Sequence, residues 1–175
     1  AYTGSTYNQD FNNYTGAAGT VPSGWTLSAG TFQGSGTGTS STGNWWAYGS
    51  GSDFSLGVLR TGSSEFTTTV SFTNNTGATV TQLQLSWDYK QWRFANTSGL
   101  NVSGTGALAG NASLDTLDLT GTATGTNGTP TTTNKIVALT GLSIAPGVTF
   151  GDQWVTVDAS GSDNGLAIDN LYQMA

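Results

Sequence analysis

Residues 65–73, EFTTTVSFT, and residues 79–89, TVTQLQLSWDY, decide the fold. In the first run Phe66, Thr68, Val70 and Phe72 fall on one side of an extended chain, and Thr67, Thr69, Ser71 and Thr73 on the other. In the second, Leu83, Leu85, Trp87 and Tyr89 alternate with Gln82, Gln84, Ser86 and Asp88. A period of two is the pattern of a half-buried strand. Between the runs, Asn74-Asn75-Thr76-Gly77 supplies a turn, with Gly77 free to take positive φ. The pair predicts two consecutive, antiparallel strands.

The same pattern recurs outward in both directions. Strands are predicted over 6–13, 24–32, 45–48, 54–59, 114–119, 135–143, 148–157 and 166–174. No segment carries apolar residues at helical spacing over three turns, and glycine and β-branched residues oppose helix nearly everywhere. The stretches 34–43 and 121–133 are Gly/Thr/Ser-rich and read as long loops or plain edge strands. Neither separates two segments large enough to fold alone, and no internal repeat is present. The expectation is a single all-β domain over 1–175: a two-layer antiparallel sandwich or a barrel of about ten strands, with little or no helix.

Composition narrows the function. The 175 residues include no His and no Cys, so there is no imidazole base, thiol nucleophile or disulfide. Four basic residues against ten acidic ones, a net charge of −6, exclude nucleic acid and anionic membrane surfaces as partners. No apolar run is long enough for a membrane span. Six Trp, seven Phe and six Tyr supply a core that the neutral Gly, Thr, Ser and Asn background does not. Ala1 opens a polar, strand-like segment with no initiator Met, as expected of a secreted chain whose signal peptide has been removed. Six Asn-x-Ser/Thr sequons begin at Asn13, Asn74, Asn96, Asn101, Asn111 and Asn127.

Four constellations are candidates for chemistry. Ten acids are enough for a glycosidase pair, but no local motif presents two together, and the plain reading is solubilising carboxylates. Asp163, Asn164 and Asp169 near the last strand, with Asp10 beside the first, offer oxygens for a structural Ca²⁺ that would tie the two ends together. The alternative there is an Asx turn at 162–165 with no ion. Trp45 and Trp46, being consecutive, face opposite sides of a strand. Trp92 and Phe94 have the parity opposite to Trp87 and Tyr89. Unless a bulge intervenes near 90–91 or both sheet faces are covered, one set faces solvent, where it would stack on sugar rings or pack on a neighbouring subunit. Arg93 has Asp88 and Asp152 as candidate partners.

Several segments resemble a family of secreted bacterial β-sandwich domains, common in proteins with a PEP-CTERM sorting signal or another surface anchor. They are 7–11 (YNQDF), 21–25 (VPSGW), 55–59 (SLGVL), 72–77 (FTNNTG), 83–93 (LQLSWDYKQWR), 139–144 (LTGLSI) and 165–171 (GLAIDNL). Their order and spacing cover nearly the whole chain. The family has an acid just before Gln-Trp-Arg, where Lys90 stands here, and the middle, 95–133, is shorter and plainer. The resemblance implies a jelly-roll-like sandwich, a secreted location and no catalysis. The closing Ile168-Asp169-Asn170 is also similar to the last strand of carbohydrate-binding jelly rolls, where the Asp helps to hold Ca²⁺.

The resulting expectation is a non-enzymatic, extracellular or cell-surface structural or adhesive protein. It would assemble with itself or with matrix components, the N-terminal segment with Tyr2 and Tyr7 adding as a strand to a neighbour's sheet. The alternative is a carbohydrate-binding module whose exposed aromatics meet a polysaccharide. A two-carboxylate hydrolase is the third reading.

Overall fold

A computed structural model describes residues 1–14 and 21–175. It contains twelve strands: β1 (Tyr7–Gln9), β2 (Trp25–Leu27), β3 (Phe32–Gly36), β4 (Asn44–Ser50), β5 (Asp53–Leu59), β6 (Thr67–Thr73), β7 (Leu83–Arg93), β8 (Gly99–Gly106), β9 (Leu119–Thr120), β10 (Thr131–Leu139), β11 (Thr149–Val157) and β12 (Gly165–Met174). The larger sheet runs β10-β7-β12-β5-β4-β3, with β1 pairing the end of β12 that β5 does not reach. The smaller runs β2-β6-β11-β8-β9.

The strand order identifies the topology. From β5 onward the chain alternates between sheets except at β8 and β9, which are consecutive and pair with each other, giving β5-β12-β7-β10 in one sheet and β6-β11-β8-β9 in the other. Two four-stranded layers interleaved in this way make a jelly roll. β6 and β7, consecutive in sequence, therefore lie in opposite sheets instead of pairing: β6 pairs β11 and β2, and β7 pairs β10 and β12. Alternation of side chains reveals that each strand has one buried face but not which strand lies beside it.

Other expectations are corrected by local structure. Residues 114–119 do not form one strand. Ala112–Leu117 is a 3₁₀ helix whose Asn111 side chain accepts the Ser113 N–H, and it buries Leu114 and Leu117. A hydrophobic pair at that spacing fits a single turn as well as a strand end. β8 arises in a glycine-rich stretch with no clear alternation, and β10 begins four residues before 135, inside the stretch read as loop. Among the named strands pairing is antiparallel except between β3 and β4, which run parallel.

The core lies between the sheets. Trp25 and Trp154 stack at 5.5 Å, Trp87 meets Trp154 edge-on at 5.0 Å, and Phe72, Phe150 and Tyr2 extend the aromatic layer. Rings in these offsets add to the area they bury. One charged group intrudes. Asp152 on β11 shares its face with Phe150 and Trp154, is wholly buried, and has no hydrogen-bond partner for either oxygen among the described residues. Burial alone pushes its carboxyl up from 3.8 to about 7. Asp152 is thus no partner for Arg93; nor is Asp88, which accepts hydrogen bonds from Asn134 (2.9 Å) and Asn170 (3.0 Å).

Candidate functional site

The register of the larger sheet sets what its outer face carries. Trp46 on β4 lies opposite Gly57 on β5, Gly57 opposite Ala167 on β12, and Ala167 opposite Lys90 on β7. Small residues in the middle of this row leave room for rings to lie over the strands. A Cβ on Gly57 would sit 2.3 Å from the Tyr48 ring. Trp46 and Tyr48 are parallel to within 5° at 5.9 Å, and Trp92 continues the series at 6.4 Å from Tyr48. With Leu59 and Ala167 they form a second, smaller hydrophobic cluster outside the sandwich.

The connection between β3 and β4 covers that cluster. Parallel neighbours normally need a crossover of about a dozen residues or more; here residues 37–43 suffice, pressed against the sheet face. Gly38, at φ +82°, approaches so closely that a Cβ would lie 2.4 Å from the Trp92 carbonyl oxygen. The bulge in β7 falls at Trp92, since Gly165 pairs Arg93 while Leu166 pairs Gln91. Both faces of β7 are thereby covered: Trp87 and Tyr89 by the opposite sheet, Trp92 by the crossover.

Beside the crossover is a cleft of about 450 Å³. Trp46, Tyr48 and Phe54 line it together with the hydroxyls of Ser35, Thr37 and Ser40. Trp46 Nε1 donates to the Thr42 carbonyl at 2.9 Å, which fixes the indole plane. Burial raises the Tyr48 hydroxyl pKa, against the smaller opposing pull of the Arg93 charge. No carboxylate lines this cleft.

The other residues singled out by the sequence are dispersed. Trp45 is in the main core, edge-on to Phe66 at 5.5 Å. Phe94 is 8% exposed and lies beneath Gly125. Tyr2 is buried, bridges Asn74, and its hydroxyl accepts the Ala175 N–H at 2.6 Å. Tyr7 is half-buried and its hydroxyl accepts from Trp25 Nε1 at 2.8 Å. The N-terminal segment that was expected to join a neighbour is paired within its own chain.

The four residues considered for calcium do not share a site. Asp10 is exposed and caps its own turn through the Asn12 N–H. Asn164 spends its whole amide on the backbone of residues 95, 96 and 98. Asp163 lines a separate cleft between Arg60 and Arg93. Asp169 lies on the outer face of β12, held by Lys90 and the Asn170 N–H. Among the described residues no three carboxylates gather closely enough to hold a metal ion.

The stretch 34–43 reads as a long loop or plain edge strand, and its repeated Gly, Ser and Thr give no sign that it lines a cleft. Sequence reading also missed the convergence of Arg60, Arg93 and Asp163, which only the antiparallel register brings together.

No protein-family model and no curated protein matches the chain. Among solved structures it is similar to the K3 adhesin domain of Lys-gingipain from Porphyromonas gingivalis (TM-score 0.49, 12% identity, 97% of this chain and 98% of that one). It is also similar to TmCBM61, solved with β-1,4-galactotriose (0.44, 8%, 95% and 98%), and to a family 35 carbohydrate-binding module from Clostridium thermocellum (0.33, 14%, 68% and 88%). The fold assignment rests on the strand order above. Among the described residues no helix is long and apolar enough to cross a membrane.

Proposed function

We propose that this domain is a non-catalytic extracellular binding module whose ligand is a saccharide, held in the cleft over Trp46 and Tyr48. The observation that carries the reading is the chemistry of that cleft: buried Trp46 and Tyr48 form its floor, the half-buried Phe54 gives it an accessible ring, serine and threonine hydroxyls line the other side, and no charged residue lines it. Ring faces stack on the C–H faces of sugars, and neutral hydroxyls exchange hydrogen bonds with theirs. Hydrolysis of a glycosidic bond needs two carboxyl groups about 5–10 Å apart across the bond. The aromatic cleft is lined by none and the arginine cleft by Asp163 alone. A glycan array tests the proposal, followed by calorimetry on the retained sugars. Trp46→Ala, with its fold checked by circular dichroism, loses at least tenfold in affinity; an array with no glycan above background overturns the reading.

A second reading, adhesion by self-association, has one favourable observation. β10 is a nine-residue strand at the edge of the larger sheet, and Ile136 on it is 59% exposed. Such an edge can accept another strand, although Lys135 opposes it. Sedimentation at high concentration separates wild type from Ile136→Lys: assembly that the substitution abolishes supports this use of β10, and a monomer throughout removes it.

A further inference from the structure

The two arginines of the chain, far apart in sequence, line one cleft of about 230 Å³ at an end of the sandwich. Arg60 follows β5 and Arg93 ends β7; Gly165, the first residue of β12, lies between their strands, opposite Leu59 on one side and Arg93 on the other. Ser41, Thr61, Ser162 and Asp163 complete the polar lining.

Arg60 is anchored. Its Nη1 donates to the Thr156 carbonyl at 2.9 Å, and Asp158 lies 3.5 Å from its Nε. That Nε–H is nevertheless buried with no partner of hydrogen-bonding geometry among the described residues. Arg93 is loosely held: one contact of 3.4 Å from Nη1 to the Thr39 carbonyl, and no carboxylate within ion-pair distance among the described residues. Asp163 is 6% exposed, and its Oδ1 is buried with no partner among the described residues. The cleft thus holds a fixed donor, a partly exposed charged donor with a single long contact and a charged acceptor, each with unused capacity. Leaving such groups unpaired in a desolvated place is unfavourable.

The charges cancel, Asp158 against Arg60 and Asp163 against Arg93. A simple anion would meet Asp163 and a simple cation would meet Arg93. A ligand that is neutral and offers an acceptor and a donor on adjacent atoms satisfies both, and a pair of neighbouring ring hydroxyls does so. Hydrogen bonds to charged partners are the stronger kind. We infer that this cleft is a second saccharide subsite, in which Arg93 donates to, and Asp163 accepts from, neighbouring hydroxyls of one sugar unit. The inference takes its ligand class from the proposed function but rests on different residues, on the other side of the crossover.

The composition provides separate reporters. With two arginines, the ¹⁵N spectrum contains two arginine Nε–H signals, and Arg93→Gln assigns them; the Trp46 indole signal reports the aromatic cleft. The protein is titrated with neutral oligosaccharides, with an oligosaccharide of uronic acid, and with glycerol as a non-ring polyol. The expected result is a saturable shift of the Arg93 signal with a neutral sugar, weakened about tenfold in Asp163→Asn. A Trp46 shift with Arg93 unmoved overturns the subsite and leaves the proposed function standing. A shift of Arg93 with the uronic acid alone, strengthened in Asp163→Asn, overturns the diol assignment in favour of a carboxylate. Equal response to glycerol overturns sugar recognition there. Silence of both reporters across all ligands overturns both readings.

Discussion

Lys90 Nζ lies 2.5 Å from Asp169 Oδ2, joining β7 to β12 on the outer face of the larger sheet. Asp169 is the deeper partner, its side chain 1% exposed against 13% for Lys90, and Asp53 adds a second, solvent-exposed carboxylate at 3.6 Å. Burial works to lower the Lys90 pKa, but the Asp169 hydrogen bond and charge outweigh it and hold Lys90 above the usual lysine value. For Asp169 burial wins instead, and its carboxyl is raised despite Lys90. A buried pair of this kind stabilises little in net, yet removing one partner strands the other. Lys90→Met therefore lowers stability by about 3 kcal/mol, and the double variant with Asp169→Leu recovers most of it. Denaturant unfolding of the four proteins closes the cycle.

Asp152 makes stability depend on pH. Its carboxyl titrates near 7 in the fold, against 3.8 without the burial. Between these values the folded state holds a proton that the unfolded state releases, so stability falls as pH rises from about 4 to 7 and then levels. Asp152→Asn keeps the shape without the charge. It gains on the order of 3 kcal/mol above pH 7, and its advantage vanishes near pH 4. Thermal melts across that range read both.

Asn74 is fully buried. Its amide donates to the carbonyls of Ala78 and Ile144 at 2.8 and 2.7 Å and accepts from Thr76. Asn74→Ala loses about 2–3 kcal/mol by leaving these groups unpaired. A glycosylating host leaves Asn74 bare in the folded protein, which peptide mass mapping reads directly.

Gly38→Ala strains a positive φ and drives a Cβ into the Trp92 carbonyl. The crossover must lift. Stability falls by about 1–3 kcal/mol, and the indole signals of Trp46 and Trp92 move while that of Trp154 stays.

Deleting residues 1–9 removes Tyr2 and Tyr7 from the core and β1 from β12. Calorimetry on the truncated chain shows a drop of about 4 kcal/mol or more. An unchanged melting temperature contradicts the intramolecular docking of this segment.

Alternation at 66–72 and 83–89 was enough to identify strands, their buried faces and the sandwich class. It gave opposite parity for Trp87 and Trp92 correctly, because parity is local. Which strand pairs with which is a long-range property, so the separation of β6 from β7 was not visible. The covering of Trp92 depends on a crossover of Gly, Ser and Thr, residues that fit many conformations. Asp163 attracted attention as an oxygen donor, but its neighbours Arg60 and Arg93 belong to distant strands. Lys90 beside Asp169 was the informative departure: an ammonium engages the carboxylate that a metal ligand would have needed free.

The position of β12 has a consequence for how the domain is made. It is the last strand of the sandwich, yet it lies between β7 and β5 in the interior of the larger sheet. A chain emerging from its N-terminus exposes the facing edges of both neighbours until Gly165–Met174 is available. Nine of the twelve strands must find a partner distant in sequence, which makes for slow folding. The incomplete sheet has unpaired edges on its two central strands throughout that interval, and the final ten-residue strand acts as the keystone whose arrival closes it.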